Sequence, residues 1–258
     1  MSNYKLGIAF NVFSGLEFLE PAIRNCRDQC DKIIVVYQTL SNTGIPAPDY
    51  LHDLLKELEP LVDVFYHYET PNRTVSPGTV IENNRIKRER GRQIAEQEGC
   101  THYQCRDCDE FYIPEQFEEV KTLSQNYAVT YGGIYEYLWS PCKRRPDLAG
   151  FYVPFIHRID QVYTKSPWPF KVDPARRVAL RGHFLRVPTA ICTMHHMTRV
   201  RINRKSYKCK FGSHSIYNQK AKIAKLMTED SDDVVIEPDR FGITEYWQNN
   251  FSKYEEMS

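Results

Sequence analysis

The chain has 258 residues, a length that can bury the core of one large domain. Charged residues make up 26% and hydrophobic residues 41%, which is ordinary for a globular protein, and the formal net charge of +1 excludes a general electrostatic attraction to nucleic acids or membranes. The N-terminus lacks a signal-peptide pattern and no apolar run approaches the ~20 residues that cross a bilayer, so the sequence predicts a cytoplasmic protein with reduced cysteines.

The first half of the chain alternates between strand and helix patterns. Strands are predicted over 5–13, over 33–37, over 62–66 and in the residues that lead to Asp107. Helices are predicted from Gly15 through Cys30, over a leucine stripe at 51–61, over 83–98 and from Pro114, with loop over 70–80. This alternation predicts an α/β fold with a mostly parallel sheet, in which ligands bind at the carboxyl ends of the strands.

The pattern changes near residue 125. Aromatic, strand-like segments follow, and residues 140–149 and 164–182 are rich in Pro, Arg and Gly, which predicts loops over a site. A basic segment at 193–210 and an acidic one at 229–239 precede an aromatic tail. No internal repeat is present, so we interpret residues 1–258 as one domain with two halves, 1–125 and 126–258.

Asp107 and Asp109 are the leading candidates for a site, because they directly follow the fourth predicted strand. At a turn, two carboxylates this close can converge on one hard cation and leave coordination positions for water and phosphate oxygens. Cys105 and Cys108 raise the alternative of structural zinc, which needs four ligands. The nearest further pair, Cys26 and Cys30, falls on the apolar face of a predicted helix, so zinc is disfavoured.

Several segments in order carry a resemblance to a known family. A basic helix at 86–95 is followed by Gly-Cys-Thr-His at 99–102 and by Arg-Asp-Cys-Asp-Glu-Phe-Tyr at 106–112. Together with the first strand, this order resembles GT-A glycosyltransferases, in particular the family 2-like group. The second half matches less closely, through residues 194–201, which are similar to the histidine-plus-basic segment that these enzymes place beside the metal.

The resemblance implies a nucleotide-sugar donor of the UDP or GDP type and a Mn²⁺ or Mg²⁺ ion, with donor binding in 1–125 and acceptor binding in 126–258. Asp109 would ligate the metal, and Asp107 would share it or contact the ribose. His195 or His196 would add an imidazole, but neighbours in a strand face opposite ways, so at most one is expected to do so. Such an ion stabilises the charge that develops on a departing nucleoside diphosphate.

Further residues are expected around the donor. Lys87 and Arg88 of the basic helix are the ones that the resemblance favours. Many members of this family bind the nucleobase of the donor with an acid after the second or third strand. Here the second strand ends at Gln38, so Glu69, after the third strand, is the candidate to bind the nucleobase. Cations that would grip the diphosphate, or a phosphate-bearing acceptor, follow in the basic segment: Arg199, Arg201 and Lys205.

An inverting reaction would need a carboxylate to deprotonate the acceptor hydroxyl, whereas a retaining one would not. Asp173 is the first candidate, followed by Asp160 and Glu136. The acceptor stays open between a saccharide, a lipid-linked sugar, a protein and a hydroxymethylated base in DNA. A strong fall of acceptor affinity with salt would favour DNA.

Two other classes remain as alternatives. A nucleotidyltransferase would use a similar sheet and metal, but it usually needs a glycine-rich phosphate loop, and residues 11–15 hold one glycine. A non-enzymatic zinc or nucleic-acid-binding module would be built on Cys105, Cys108 and the basic run that begins at Arg199, and it would hold zinc tightly and stoichiometrically.

Overall fold

The structure is a computed structural model that describes residues 4–42, 44–71, 76–200 and 234–250, and these residues form two β-sheets. In chain order the strands are β1 (Leu6–Val12), β2 (Lys32–Tyr37), β3 (Val64–His67), β4 (His102–Asp107), β5 (Glu110–Phe111), β6 (Val129–Gly132), β7 (Ile134–Leu138), β8 (Lys143–Leu148), β9 (Val153–Arg158), β10 (Phe184–Arg186), β11 (Met194–Arg199) and β12 (Val235–Ile236). The larger sheet has the order β10-β6-β9-β4-β1-β2-β3, and the smaller one β12-β8-β7-β11-β5.

The larger sheet is mostly parallel. β1 pairs in parallel with β2 and with β4, and β3 continues the parallel arrangement beside β2. Of its described strands, β9 is the one that runs antiparallel to its neighbours, β4 and β6. β1 and β2 are nearly continuous buried apolar runs, as expected for strands with both faces covered. The predicted α/β class with a mostly parallel sheet is confirmed.

The helices are α1 (Leu19–Arg24), α2 (Leu51–Glu57), α3 (Pro77–Gln97), α4 (Pro114–Ser124) and α5 (Ile243–Asn249). The expected loop at 70–80 is wrong at its end, because Pro77 suits a first helical turn and the Ser76 hydroxyl accepts a hydrogen bond from the Thr79 amide at 3.1 Å. The helix expected to reach Cys30 ends at Arg24, and a separate 3₁₀ turn covers Arg27–Gln29.

α3 lies unusually close to the larger sheet. A Cβ atom at Gly91 would meet the Tyr103 hydroxyl at 2.6 Å and the Ala9 Cβ at 3.0 Å, so only glycine allows this approach to β1 and β4. The consequence is that side chains near the middle of α3 lie directly over the ends of these strands.

The smaller sheet begins where β4 ends, since β5 follows after a two-residue turn. The expected loop at 140–149 is wrong, because β8 occupies Lys143–Leu148 and pairs with β7 and β12. Its sequence, Lys-Arg-Arg-Pro-Asp-Leu, has no apolar alternation, so pairing with neighbours defines the strand rather than burial. The predicted loop at 164–182 is confirmed, apart from isolated bridges.

Residues 234–250 pair with the smaller sheet and also pack beside α1. In this segment β12 pairs with β8, and the Trp247 ring lies 5.2 Å from the Phe18 ring beside α1. The Trp247 indole N–H also donates to the Glu17 carbonyl at 3.2 Å. Among the helices of the described residues, none has both the length and the apolar character to traverse a bilayer.

Candidate active site

The carboxyl ends of β1 and β4 lie at a short turn, and three acids lie in or directly beside this turn. Asn11 of β1 pairs with Asp107, the last residue of β4, and Glu110 begins β5 after the turn. The Asp107 amide donates to the Glu110 carboxylate at 3.1 Å, so the turn closes on itself. Asp107, Asp109 and Glu110 therefore lie together at the edge of the sheet where a parallel α/β fold places its ligands.

Asp107 is held by two guanidinium groups. Arg88 of α3 donates from Nη2 to both carboxylate oxygens, at 3.0 and 3.1 Å, and Arg176 Nη2 donates to Oδ2 at 2.6 Å. Burial alone would raise the pKa of Asp107, but the charges of Arg88 and Arg176 outweigh it and lower that pKa to about 2. Asp107 is therefore ionised at neutral pH.

Glu110 is fully buried and shares Arg176 with Asp107. Arg176 Nη1 donates to Oε2 at 2.9 Å, and Nη2 contacts Oε1 as well. Burial raises the pKa of Glu110 above its usual value, although the charge of Arg176 opposes this. We call these four side chains, Arg88, Asp107, Glu110 and Arg176, the arginine–carboxylate cluster.

Asp109 lies on the other side of the turn, beside a histidine. Its Oδ1 is 3.4 Å from Nε2 of His196, and the Met197 amide donates to its carbonyl at 2.8 Å. Both contacts arise because β11 pairs antiparallel with β5, which puts His196 opposite Glu110. Asp109 and His196 thus form a carboxylate–imidazole pair next to the arginine–carboxylate cluster.

His195 faces the opposite side of β11, as strand geometry predicts for neighbours. Its Nδ1 is 2.7 Å from the Tyr137 hydroxyl, which also contacts Glu237. Burial lowers the pKa of His195 to about 4. The structure therefore brings His196, and not His195, to Asp109.

Glu136 shares a cross-strand row with His196. The parallel register of β7 and β11 places the two residues opposite each other, and directly paired residues lie on one face of a sheet. The Glu136 carboxylate is 3.9 Å from Nε of Arg145.

Lys87 is buried at the ends of β1 and β2. Its Nζ donates to the Val12 carbonyl and to Oε1 of Gln38, both at 2.9 Å. Burial lowers the pKa of Lys87 to about 7. Gln38 is in turn joined to Thr70 at 2.6 Å, so a buried polar network occupies the position after β2 where an acid was absent from the sequence.

Asp173 reaches the site through Arg176. Its Oδ2 is 3.4 Å from Nε of Arg176, and Oδ1 accepts from the Ala175 amide at 2.8 Å. Asp160, in contrast, pairs with Arg158, whose strand position is opposite His102 at the start of β4. Asp160 therefore lies near the start of β4, at the opposite end of this strand from Asp107.

The remaining candidates are more scattered. Glu69 is exposed and lines a cleft between β3 and α3, together with Tyr66 and Arg90. Arg199 is the last residue of β11. Arg201 and Lys205 lie outside the described residues.

Cys105 and Cys108, the cysteines near the turn, contact groups of the protein rather than each other. Sγ of Cys105 accepts from Arg88 at 3.0 Å and from Asn11 at 2.8 Å, and Cys108 is buried with its Sγ 3.7 Å from the Asn11 carbonyl. Within the described ranges, no group of three or more His, Cys, Asp or Glu side chains is arranged to hold a metal.

Two site residues were missed from the sequence. Glu110 directly follows the Asp-x-Asp pattern, so its place as a third acid in this run could have identified it as a site candidate. Arg176 is almost completely buried, and its partners Glu110 and Asp107 lie 66 and 69 positions away along the chain. No local pattern identifies it, because only the fold brings it to Asp107.

No protein-family model and no curated protein matches the chain. Among solved structures it is similar to the crystal structure of S. aureus TarS, with a TM-score of 0.34 and 10% identity over 52% of this chain and 21% of that chain. For TarS 1–349 in complex with UDP, the TM-score is 0.34 at 10% identity, over 52% of this chain and 35% of that one. For the complex with UDP-GlcNAc the values are 0.35, 10%, 52% and 34%. The matched part of this chain thus spans about a third or less of those chains.

Proposed function

We propose that this protein is a metal-dependent glycosyltransferase of the GT-A type, which transfers a sugar from a UDP- or GDP-type donor to an acceptor hydroxyl. The observation that carries the proposal is the pair formed by Asp109 and His196 beside Asp107, at the carboxyl edge of a mostly parallel sheet. The order of basic helix, strand and Asp-Cys-Asp-Glu-Phe in the sequence supports the same family.

Asp109 and His196 are the residues that would hold Mn²⁺ or Mg²⁺. A carboxylate with an imidazole suits Mn²⁺, and an ion with few protein ligands is typical of sites in which substrate phosphates complete the coordination. When bound, the ion supplies positive charge to the departing nucleoside diphosphate. Asp107 would act differently, because both its oxygens already accept hydrogen bonds from guanidinium groups.

Lys87 and Arg88 would provide the protein's own positive charge to the donor. Both side chains are buried on α3 beside the ends of β1 and β4. A phosphate close to Lys87 would favour its protonated form and so raise its depressed pKa. Residues 1–125 would thus form the donor-binding half.

Residues 126–258 would contribute His196 and the general base that deprotonates the acceptor hydroxyl. In an inverting reaction Asp173 would accept the proton of the acceptor hydroxyl, since it is partly exposed, at 25%, and adjoins the arginine–carboxylate cluster. Glu136 is the second candidate because it shares a sheet face with His196. Asp160 has no part in this proposal, because it lies near the start of β4, at the opposite end of this strand from Asp107.

The acceptor of this reaction would be a saccharide or a hydroxymethylated base in DNA. The two differ in charge, so affinity for DNA should fall steeply with salt and affinity for a neutral saccharide should not. Transfer measured at two salt concentrations separates them.

The proposal is tested by thermal shift with UDP- and GDP-sugars, each with Mn²⁺ and with EDTA. A ligand that binds the folded state raises the melting temperature according to its concentration over its dissociation constant. We expect a shift for one nucleotide that needs Mn²⁺ and disappears in Asp109→Ala, while Asp53→Ala, an exposed acid on α2, keeps it. Shifts that are identical with EDTA would contradict the metal role, and no shift with any nucleotide sugar would contradict the proposed function.

A further inference from the structure

Residues 165–176 form one loop whose two ends are joined. Tyr163 and Val178 form an antiparallel bridge, and the Thr164 amide donates to the Arg177 carbonyl at 2.8 Å. Inside the loop, the Trp168 indole N–H donates to the Val178 carbonyl at 3.0 Å. These bonds fix the base of the loop, but none of them fixes the end that carries Asp173.

That end is held from both sides of Asp173. The Asp173 amide donates to the Tyr152 carbonyl at 3.1 Å, and three residues later the Arg176 side chain contacts the carboxylates of Asp107 and Glu110. Arg176 has a side chain that is 4% exposed, and it faces the carboxylates of Asp107, Glu110 and Asp173. A planar guanidinium directs five N–H donors in a fixed fork, and the three donors on the single nitrogen of lysine do not reproduce this geometry.

We propose that Arg176 is a positioning residue that docks the Asp173 end of loop 165–176 onto the donor-side carboxylates. This inference rests on the proposed function, in which Asp173 accepts the acceptor proton. Arg176 acts through Asp173: it sets the distance between the base and the donor carboxylates. It joins the two halves of the site, since Asp107 and Glu110 belong to the first half and Asp173 to the second.

The two arginines on Asp107 have separable roles. Arg88 comes from α3 and donates to both Asp107 oxygens, so Asp107 keeps one guanidinium partner when Arg176 is removed. The loop, in contrast, loses its link to both carboxylates. Loss of Arg176 should therefore affect turnover and loop opening more than donor binding.

The experiment compares Arg176→Ala, Arg176→Lys and the double variant Arg176→Ala/Glu110→Gln, which removes the buried carboxylate together with its partner in case the single variants do not fold. Arg177→Ala is the matched control, because Arg177 is the next residue and forms no ion pair with an acid among the described residues. Three quantities are measured: hydrogen exchange of loop 165–176, donor affinity by thermal shift, and kcat with KM for the acceptor. Guanidinium chloride at millimolar concentration is added as a rescue.

We expect about 100-fold lower kcat in Arg176→Ala, since a small displacement of a reacting group has an effect of this order. Donor affinity should change by less than about threefold, and loop exchange should rise by about tenfold or more, given the open states that local unfolding allows. Guanidinium should restore part of kcat in Arg176→Ala but not in Arg176→Lys. Arg177→Ala should match the wild type in all three quantities.

Several results would overturn the inference. Unchanged loop exchange in both Arg176→Ala and the double variant would show that Arg176 does not dock the loop. Equal losses of donor affinity and kcat, without guanidinium rescue, would show a general structural role. If the wild type transfers no sugar from any donor, the proposed function fails, and the exchange measurement still decides whether Arg176 docks the loop.

Discussion

Asp107 and Asp109 stand two residues apart, yet their surroundings differ in kind. Asp107 ends β4 and accepts hydrogen bonds from two arginines that are always charged, which lower its pKa to about 2. Asp109 lies in the turn after β4, and its carboxylate faces the imidazole of His196. The first carboxylate is committed to internal cations, whereas the second has a partner that suits a shared metal ion. Two carboxylates of one short motif can therefore have different partners.

The largest expected effect comes from Asp109→Ala. Removal of the carboxylate from the proposed metal pair should lower kcat/KM by about 1,000-fold, as losses of transition-state charge stabilisation commonly do. The Mn²⁺-dependent thermal shift should disappear, while circular dichroism stays that of the wild type. Full activity in this variant would break the distinction between the two acids.

Asp107→Asn should mainly reduce stability. The substitution leaves two buried arginines short of a counter-charge, and we expect a loss of about 2.5 kcal/mol after allowance for the partial exposure of Asp107. Urea unfolding measures this, with Asp109→Asn as the matched comparison. Equal losses in the two variants would contradict the different surroundings of the two carboxylates.

The two histidines give a similar contrast. His196→Ala should weaken Mn²⁺ binding by at least about 30-fold, because it removes a proposed ligand and loss of an outer-shell group alone has an effect of this scale. The effect on melting temperature should be small. His195→Ala should lower the melting temperature, because it removes a buried contact with Tyr137, and it should leave Mn²⁺ affinity unchanged. Titration of Mn²⁺ by calorimetry provides the test, and equal mild effects would mean that neither histidine binds the metal.

The smallest expected effect concerns acid stability away from the site. Burial lowers the pKa of His157 to about 4, so the unfolded chain binds more protons than the folded one between pH 6.5 and 4, and stability falls as pH falls through this window. The contribution of Asp107 is lost only below its ordinary pKa of 3.8, towards 2. His157→Gln should recover about 1.4 kcal/mol of the loss between pH 7.5 and pH 5.5. Unfolding free energies measured at these two pH values would contradict the assignment if wild type and variant lost the same amount.

The sequence predicted the elements whose pattern is local. The apolar runs of β1 and β2 identified the centre of the sheet, and the alternation with helices indicated which strand ends meet. The sequence also predicted that Asp107 and Asp109 lie at the carboxyl end of β4. Their different partners did not, because Arg88 and His196 reach them only through helix packing and strand pairing.

The second half was less predictable, although β6, β7 and β9 are largely buried and fall in its aromatic, strand-like segments. β8 is polar and forms by pairing, and Arg176 lies in a loop whose neighbours are about 66 residues away along the chain. The choice between His195 and His196 depends on the register between β5 and β11, which single-sequence patterns do not specify. Tertiary contacts, rather than local propensity, determine β8 and the site contacts of this half.

The arginine–carboxylate cluster also bears on how the protein can be handled. Its acids have counter-charges supplied by the chain itself, unlike small metal-organised domains that are unfolded without their ion. If the protein binds a metal as proposed, folding and ion binding would therefore be separate events, and the protein should be obtainable folded from chelating buffers. Adding one ion at a time to a single such preparation would then test the proposed metal binding and its preference.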